Sequence, residues 1–415
     1  MQKLLISVLC TLAGFVVAVP LAGQGPATRT VFEGARLIVG DGSAPIENGA
    51  FLVEGNRITS VGRTAGELKV PAGVTRVSLA GKTVMPAIID THTHMGETRE
   101  AVVDLLRRKA AFGVAAVLSL GTDPGDFAFK LREERIPGAA LLFTAGRGIT
   151  MPEPGRTEVP YWVTTTAEAR KAVQELAARK VDIVKIWVDD RNGKYKKLTP
   201  DLYGAVIDEA HKHQLRVTVH VYYLDDAKGL LKAGIDAFAH GVRDKDVDDE
   251  FMGMVKARPT FVLVPNLPDR GVATDVSWLA NAVSPEELKK LQAGATDRPA
   301  AQQAFGIQAR SLAKMNAAGV KIALGTDGGI PWAHHLEMED MVAAGMTPAQ
   351  VITAATKTAA EFLRLNDHGT LAAGKSADFI VLDANPLEDI KNTRRIADVY
   401  LRGARVDRGA AAKTR

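Results

Sequence analysis

The sequence predicts an α/β protein built on a (β/α)8 barrel, and three observations lead there. Eight apolar, β-branched runs recur from Thr83 to Gly329, each followed by an amphipathic stretch of helical period. No glycine-rich phosphate loop follows the first run, as an open doubly wound sheet would want. The residues capable of chemistry sit at the ends of the runs, where a barrel builds its sites.

The elements follow in order. Residues 1–24, within "MQKLLISVLCTLAGFVVAVPLAGQG", have one basic residue, an apolar stretch and then small residues. That is the layout of a secretory signal peptide, with cleavage expected between Gln24 and Thr28. The apolar stretch ends at Pro20, short for a membrane span, so a retained anchor is the lesser reading. Residues 29–85 alternate short β segments with Gly/Asn turns, as in "NGAFLVEGNRITSVG", and residues 369–410 return to that texture. Between them, residues 86–368 carry the barrel, with strands expected in "TVMPAIIDTHTH" (starting within the preceding β region), "VAAVLSLG", "AALLFTAG", "VDIVKIWV", "RVTVHVYY", "IDAFAHG", "TFVLVPNL" and "KIALGTDGG". Two departures from a minimal barrel, a Pro/Gly-rich loop from Arg147 to Tyr161 and an insertion from Leu267 to about Ala300, are candidate lids or substrate walls.

Composition narrows the function. The chain has 46% hydrophobic and 24% charged residues and a net charge of +4, with no basic block, which excludes nucleic acid as a partner. Cys10 is the only cysteine, so a processed chain has no disulfide and no thiolate ligand. Any metal must be held by His, Asp, Glu or a less usual group.

Lys185 is that less usual group. It lies inside the apolar run "VDIVKIWVDD", where a buried ammonium costs several kcal/mol unless it is paired or chemically altered. Around it, "DTHTH" places His92 and His94 on one face of the first strand end. His220 ends the fifth strand, on the face of Thr218 and Tyr222; His240 ends the sixth; Asp327 ends the eighth, in "GTDGG". Singly, each has an ordinary reading: a hydrogen-bonded histidine, a turn aspartate, a lysine reaching solvent. Together, six such residues at strand ends point to a metal centre. Addition of CO2 to the Lys185 amine would make an anionic carbamate able to bridge two cations.

Those residues sit in "PAIIDTHTH", "KIW", "VTVHVYY", "AHG" and "LGTDGG", which with "GMTPAQVITAATKTAAEFL" and "GTLAAGKSADFIVLDANPLEDI" resemble the amidohydrolase superfamily, nearest its imidazolonepropionase-like and Xaa-Pro-dipeptidase-like branch. The likeness runs from about Arg29 to Arg405. It implies a barrel plus a small β-sandwich formed by both chain ends. It also implies two divalent ions, usually Zn2+, with His92, His94 and Asp327 on one, His220 and His240 on the other, and carbamylated Lys185 bridging. A metal-activated hydroxide would attack a substrate carbonyl while Asp327 acts as general base and then acid. The family habit is a homo-oligomer. Two motifs depart from the branch: the sixth strand has "AH" for Glu-His, and the loop after the third strand lacks Gly-Gly-His.

The substrate contacts expected are Tyr222, Arg147, Trp332 and His335, and an arginine there would suit a carboxylate-bearing small molecule. N-acyl amino acids, dipeptides and cyclic amides are the expected substrates. The rivals are ester, lactone or phosphoester hydrolysis at the same centre, and a barrel that binds without catalysis. Relatives of the last kind usually lose ligands, whereas all six positions are filled here. An exported product would be periplasmic or secreted, with no membrane insertion after cleavage.

Overall fold

Strands from the two ends of the chain pair in one sheet. The computed structural model describes residues 29–63 and 67–411, so the expected signal segment lies outside the described residues. The strand Arg29–Leu37 pairs antiparallel with Ile46–Glu54, which pairs with Arg57–Arg63. On its other side it runs parallel to Thr75–Ser78 and Thr83–Pro86. Thr83–Pro86 then pairs antiparallel with Phe379–Leu382, with Met85 opposite Ile380, and Ile396–Leu401 and Ala404–Arg405 complete the order. Aromatic residues from both ends fill its core: Phe32 stacks on Phe51 at 5.0 Å and Phe379 on Tyr400 at 4.6 Å.

Thr83–Pro86 leads within two residues into the first parallel strand, Ile88–Thr93, which pairs with Val114–Ser119 and then Leu141–Thr144. A second parallel sheet holds Tyr161–Trp162, Ile149–Thr150, Val184–Val188, Val217–Val221, Ala237–Ala239, Val262–Val264 and Lys321–Ile322 in spatial order. Backbone bonds join the two sheets at both margins. Asp182 N–H donates to the Thr144 carbonyl at 3.0 Å, and Thr91 N–H to that of Leu324 at 2.9 Å. Every residue of Val184–Val188 and Val217–Val221 is buried, as strands covered on both faces require.

The intervening helices carry ordinary start and stop chemistry. Thr165 and Glu168 form a capping box on Thr166–Ala178. Pro200 opens Pro200–Lys212, and Gly234, at a φ of 100°, closes Leu224–Ala233. The eighth strand is short because "GTDGG" turns immediately after it; Asp327 adopts a left-handed φ of 53° there, which aims its side chain back over the strand ends.

Both expected departures are ordered by packing. In the first, Arg147 donates to the carbonyls of Val159 and Pro160, and its guanidinium lies 3.9 Å from the Tyr161 ring centroid. In the second, Val276, Leu279, Ala282 and Val283 pack with Phe112 and Trp332. Arg270 pairs with Asp340 at 3.1 Å, and Leu267 N–H donates to Glu337.

Candidate metal-dependent active site

The ends of the first, sixth and eighth parallel strands converge on one carboxylate. Asp327 Oδ1 lies 3.0 Å from His92 Nε2 and 3.0 Å from His94 Nε2, and its Oδ2 lies 3.3 Å from His240 Nε2. Donor atoms of His92, His240 and Asp327 all fall within 4.8 Å of one another. His220 adjoins this group, its ring centroid 4.6 Å from that of His240.

The outer nitrogens show how the rings are held. His92 Nδ1 lies 2.8 Å from Asn266 Oδ1, His94 Nδ1 3.0 Å from Thr122 Oγ1, and His220 Nε2 2.8 Å from Asp189 Oδ2. Acceptance by Asn266 and Asp189 keeps the proton on that side and leaves the opposite lone pair for a cation. His240 differs. Its Nδ1 faces the Arg243 guanidinium, a donor, at 2.7 Å, so in the neutral ring the proton sits on Nε2. Ligation through Nε2 requires that proton to move and Arg243 to release Nδ1.

Burial and charge set the ionisation. Burial pushes His92 down to about 4, and the Lys185 charge adds to it. Burial also pushes His220 down to about 3, against the pull of Asp189. Burial works to raise the Asp327 carboxyl, but His92 and His240 outweigh it and hold the group well below the usual carboxylate range. His92 and His220 are therefore neutral, ligand-competent imidazoles near pH 7, and Asp327 is an anion.

Lys185 is fully buried, and its Nζ has no hydrogen-bond partner among the described residues. Gly121 makes room for it: a Cβ there would sit 2.9 Å from Lys185 Cγ. Burial pushes the amine down to about 7 against the Asp327 charge, and Arg243 and Arg191 push the same way. A buried amine without a hydrogen-bond partner, beside neutral imidazoles and a carboxylate, fits a metal centre in which that amine carries an acidic group. The donor set, imidazole and carboxylate, suits zinc.

Of the expected substrate contacts, Tyr222 lines a cleft of about 390 Å³ together with Arg243, Asn266, Gln308 and Asp327. The other three need correction. Arg147 spends its guanidinium on its own loop, as described above. Trp332 is 4% exposed in the apolar cluster with Phe112 and Leu279. His335 is fully buried, with Nδ1 3.0 Å from Thr393 Oγ1. Trp332 and His335 follow the eighth strand in sequence, but the helix Ala333–Ala343 and its N-cap carry them into packing under the insertion.

Four residues at the site escaped the sequence reading. Asp189 follows Lys185 by four, on the same strand face, and Asn266 ends the seventh strand, so both had a positional signal. Arg191 pairs with Asp189 and, at 3.2 Å, with the buried Glu153 of the loop after the third strand. Arg191 and Arg243 lie beyond their strand ends, where no periodicity marks them.

The chain is similar to known proteins along most of its length. The model of the amidohydrolase family matches residues 83–406. An ochratoxinase of Aspergillus niger is 26% identical over 89% of this chain and 84% of its own length. An imidazolonepropionase of Deinococcus radiodurans is 26% identical over 87% of this chain and 92% of its own. A solved Xaa-Pro dipeptidase with methionine bound in its active site superposes with a TM-score of 0.72 at 23% identity, covering 91% of this chain and 99% of its own, which extends the likeness to a TIM-barrel-type α/β fold.

Proposed function

Since the chain belongs to the amidohydrolase family, we propose that it is a metal-dependent hydrolase of amide bonds with Asp327 as general base and acid. The observation that carries this reading is the Asp327 carboxylate, 3.0 to 3.3 Å from three histidines of two separate chain segments, beside a buried lysine whose amine has no hydrogen-bond partner among the described residues. His92, His94 and Asp327 would hold one ion, His220 and His240 a second, with a carbamate on Lys185 between them. Bound there, divalent ions supply Lewis acidity and lower the pKa of water.

The chain's own groups do the rest. Asp327, anionic among imidazoles, takes the proton of the attacking water as its oxygen bonds to the acyl carbon. The same carboxyl hands that proton to the nitrogen as the C–N bond breaks, which releases an amine and a carboxylic acid that gives its remaining proton to solvent. Asp189 and Asn266 hold His220 and His92 in the ligand-competent tautomer. Tyr222, at the cleft wall, can donate its phenolic hydrogen to the oxygen that gains charge. We read the two parallel sheets as one (β/α)8 barrel closed at Thr91–Leu324 and Asp182–Thr144, with the terminal sheet as the small β-sandwich domain. We read the protein as exported and homo-oligomeric.

A panel of N-acyl amino acids, dipeptides, cyclic amides, lactones and phosphotriesters tests the reaction class. The expected result is turnover of amides; turnover of lactones or phosphotriesters alone would replace this reading with ester hydrolysis at the same centre.

A further inference from the structure

His220 Nε2 stands between an acceptor and a donor. Asp189 Oδ2 lies 2.8 Å from it, and Arg191 Nη1 lies 3.0 Å from it. The same Asp189 oxygen also accepts from Arg191 Nη1 at 2.5 Å. The two neighbours ask opposite things of the ring. A proton on Nε2 is donated to Asp189 and leaves the Nδ1 lone pair free; an Arg191 hydrogen on Nε2 puts the ring proton on Nδ1. His92 and His94 have neutral partners at their outer nitrogens, Asn266 Oδ1 and Thr122 Oγ1. The direction Arg191 takes is set from another loop. Its Nε donates to Glu153 Oε1 at 3.2 Å, while its backbone N–H donates to Asp189 Oδ1 at 2.9 Å. Arg191 and Asn192 both hold a left-handed φ, 55° and 59°, a backbone uncommon for residues with a Cβ and kept where the surroundings fix it. Glu153 is 1% exposed, and its second oxygen accepts from Arg156 at 2.5 Å. A further tie joins the two loops: Tyr195 Oη donates to the Pro154 carbonyl at 3.1 Å.

We infer that Glu153 is a positioning residue for the second cation position, acting through Arg191 and Asp189 on His220. Its carboxylate holds the guanidinium in the chain Glu153–Arg191–Asp189, so that Asp189 rather than Arg191 satisfies His220 Nε2. The ring then keeps its proton on Nε2 and offers Nδ1 to a divalent cation. Without the Glu153 charge the guanidinium turns its hydrogen onto Nε2, the ring proton moves to Nδ1, and the ligand is lost. The loop after the third strand is thereby coupled to occupancy of the second position, and a cation bound there steadies the loop in return. The inference rests on the metal-dependent reading above and adds to it a residue outside the ligand set that decides whether the second ion is held.

The test uses full-length holoprotein of the wild type, Glu153→Gln, Glu153→Asp and the double variant Glu153→Gln/Arg191→Met. Each is dialysed against graded free Zn2+ at fixed neutral pH and bicarbonate, and the metal held per chain is counted. In the same proteins, dialysed free of the second ion, 15N NMR of labelled histidine reads which nitrogen of His220 carries the proton. The wild type is expected to show Nε2–H. Glu153→Gln should shift His220 toward Nδ1–H and weaken the second Zn2+ by about tenfold or more, with the first unchanged. The double variant removes the competing donor as well, so Nε2–H and the affinity for the second ion should return. Loss of Arg191 would not rescue a role for Glu153 that is only structural, so second-ion binding that stays weak in the double variant overturns the inference. It is overturned too by a wild type with Nδ1–H, by Glu153→Gln with native tautomer and affinity, or by equal weakening of both ions. Should Glu153→Gln fail to fold, Glu153→Asp, whose carboxylate is one methylene shorter, carries the test: a partial shift of both readouts is expected, and no shift overturns it. A wild type that binds no Zn2+ sinks the metal-dependent reading itself, while the tautomer shift in Glu153→Gln still supports the positioning and its absence overturns it.

Discussion

Asp327 and Lys185 carry opposite lessons about single residues. Asp327 in isolation is an aspartate before two glycines, a turn signal; its left-handed backbone and the three histidines around it make it a base. Asp327→Asn keeps the size of the side chain and removes its basicity. Turnover should fall by roughly 10²- to 10⁴-fold, the contribution of a positioned acid–base group, in a steady-state assay on the best substrate of the panel. Lys185 was legible because it broke a pattern: a long cation in a strand whose residues are all buried. Lys185→Ala should lose bound metal, and millimolar short carboxylic acids should restore part of both metal and activity; full metal content in that variant would remove the lysine from the centre. Arg243 broke no pattern in sequence. Its place, donating to His240 Nδ1 at the wall of the cleft that Asp327 also lines, is visible only in the assembled structure.

At the scale of elements, one buried ion pair holds the catalytic strands in register. Asp90 Oδ2 accepts from Lys109 Nζ at 2.7 Å, and both side chains are fully buried. The same carboxylate accepts from Thr326 Oγ1 at 2.8 Å and Thr326 N–H at 3.1 Å, and from His92 N–H at 3.3 Å. The helix Arg99–Ala111, the first strand and the turn bearing Asp327 thus meet at one group. Lys109→Met leaves the buried Asp90 carboxylate without its counter-ion and should cost about 3–5 kcal/mol in urea unfolding, with part regained in the Asp90→Asn/Lys109→Met double variant. A loss under 1 kcal/mol would mean the pair is dispensable. The β-branched runs announced these strands because burial on both faces demands apolar residues at every position. The helix Ala333–Ala343 was less legible: whether its Trp332 cap and His335 face the cleft or the core depends on the insertion packed against them, which lies far away in sequence.

For the molecule as a whole, buried neutral histidines outside the site contribute to its response to acid. His334 is fully buried with Nε2 2.9 Å from the Phe112 carbonyl; burial, then the Lys109 charge, pushes it down to about 4. Burial, then His334, holds His335 well below its ordinary value too. The unfolded chain takes up these protons near pH 6.5 and the folded chain only at lower pH. Stability present above pH 6.5 is therefore lost as pH falls toward 4, by about 3 kcal/mol for His334 alone. Thermal unfolding of the metal-free protein should show a falling midpoint across that window, and His334→Gln should make the fall shallower; an unchanged slope would contradict the assignment. The most direct test of the central claim, that chain-distant side chains assemble a metal-activated hydrolytic centre, is elemental analysis of the purified protein alongside amide hydrolysis. Two divalent ions per chain are predicted, with activity lost on chelation and regained when zinc returns. Full activity at less than one ion per chain would contradict it.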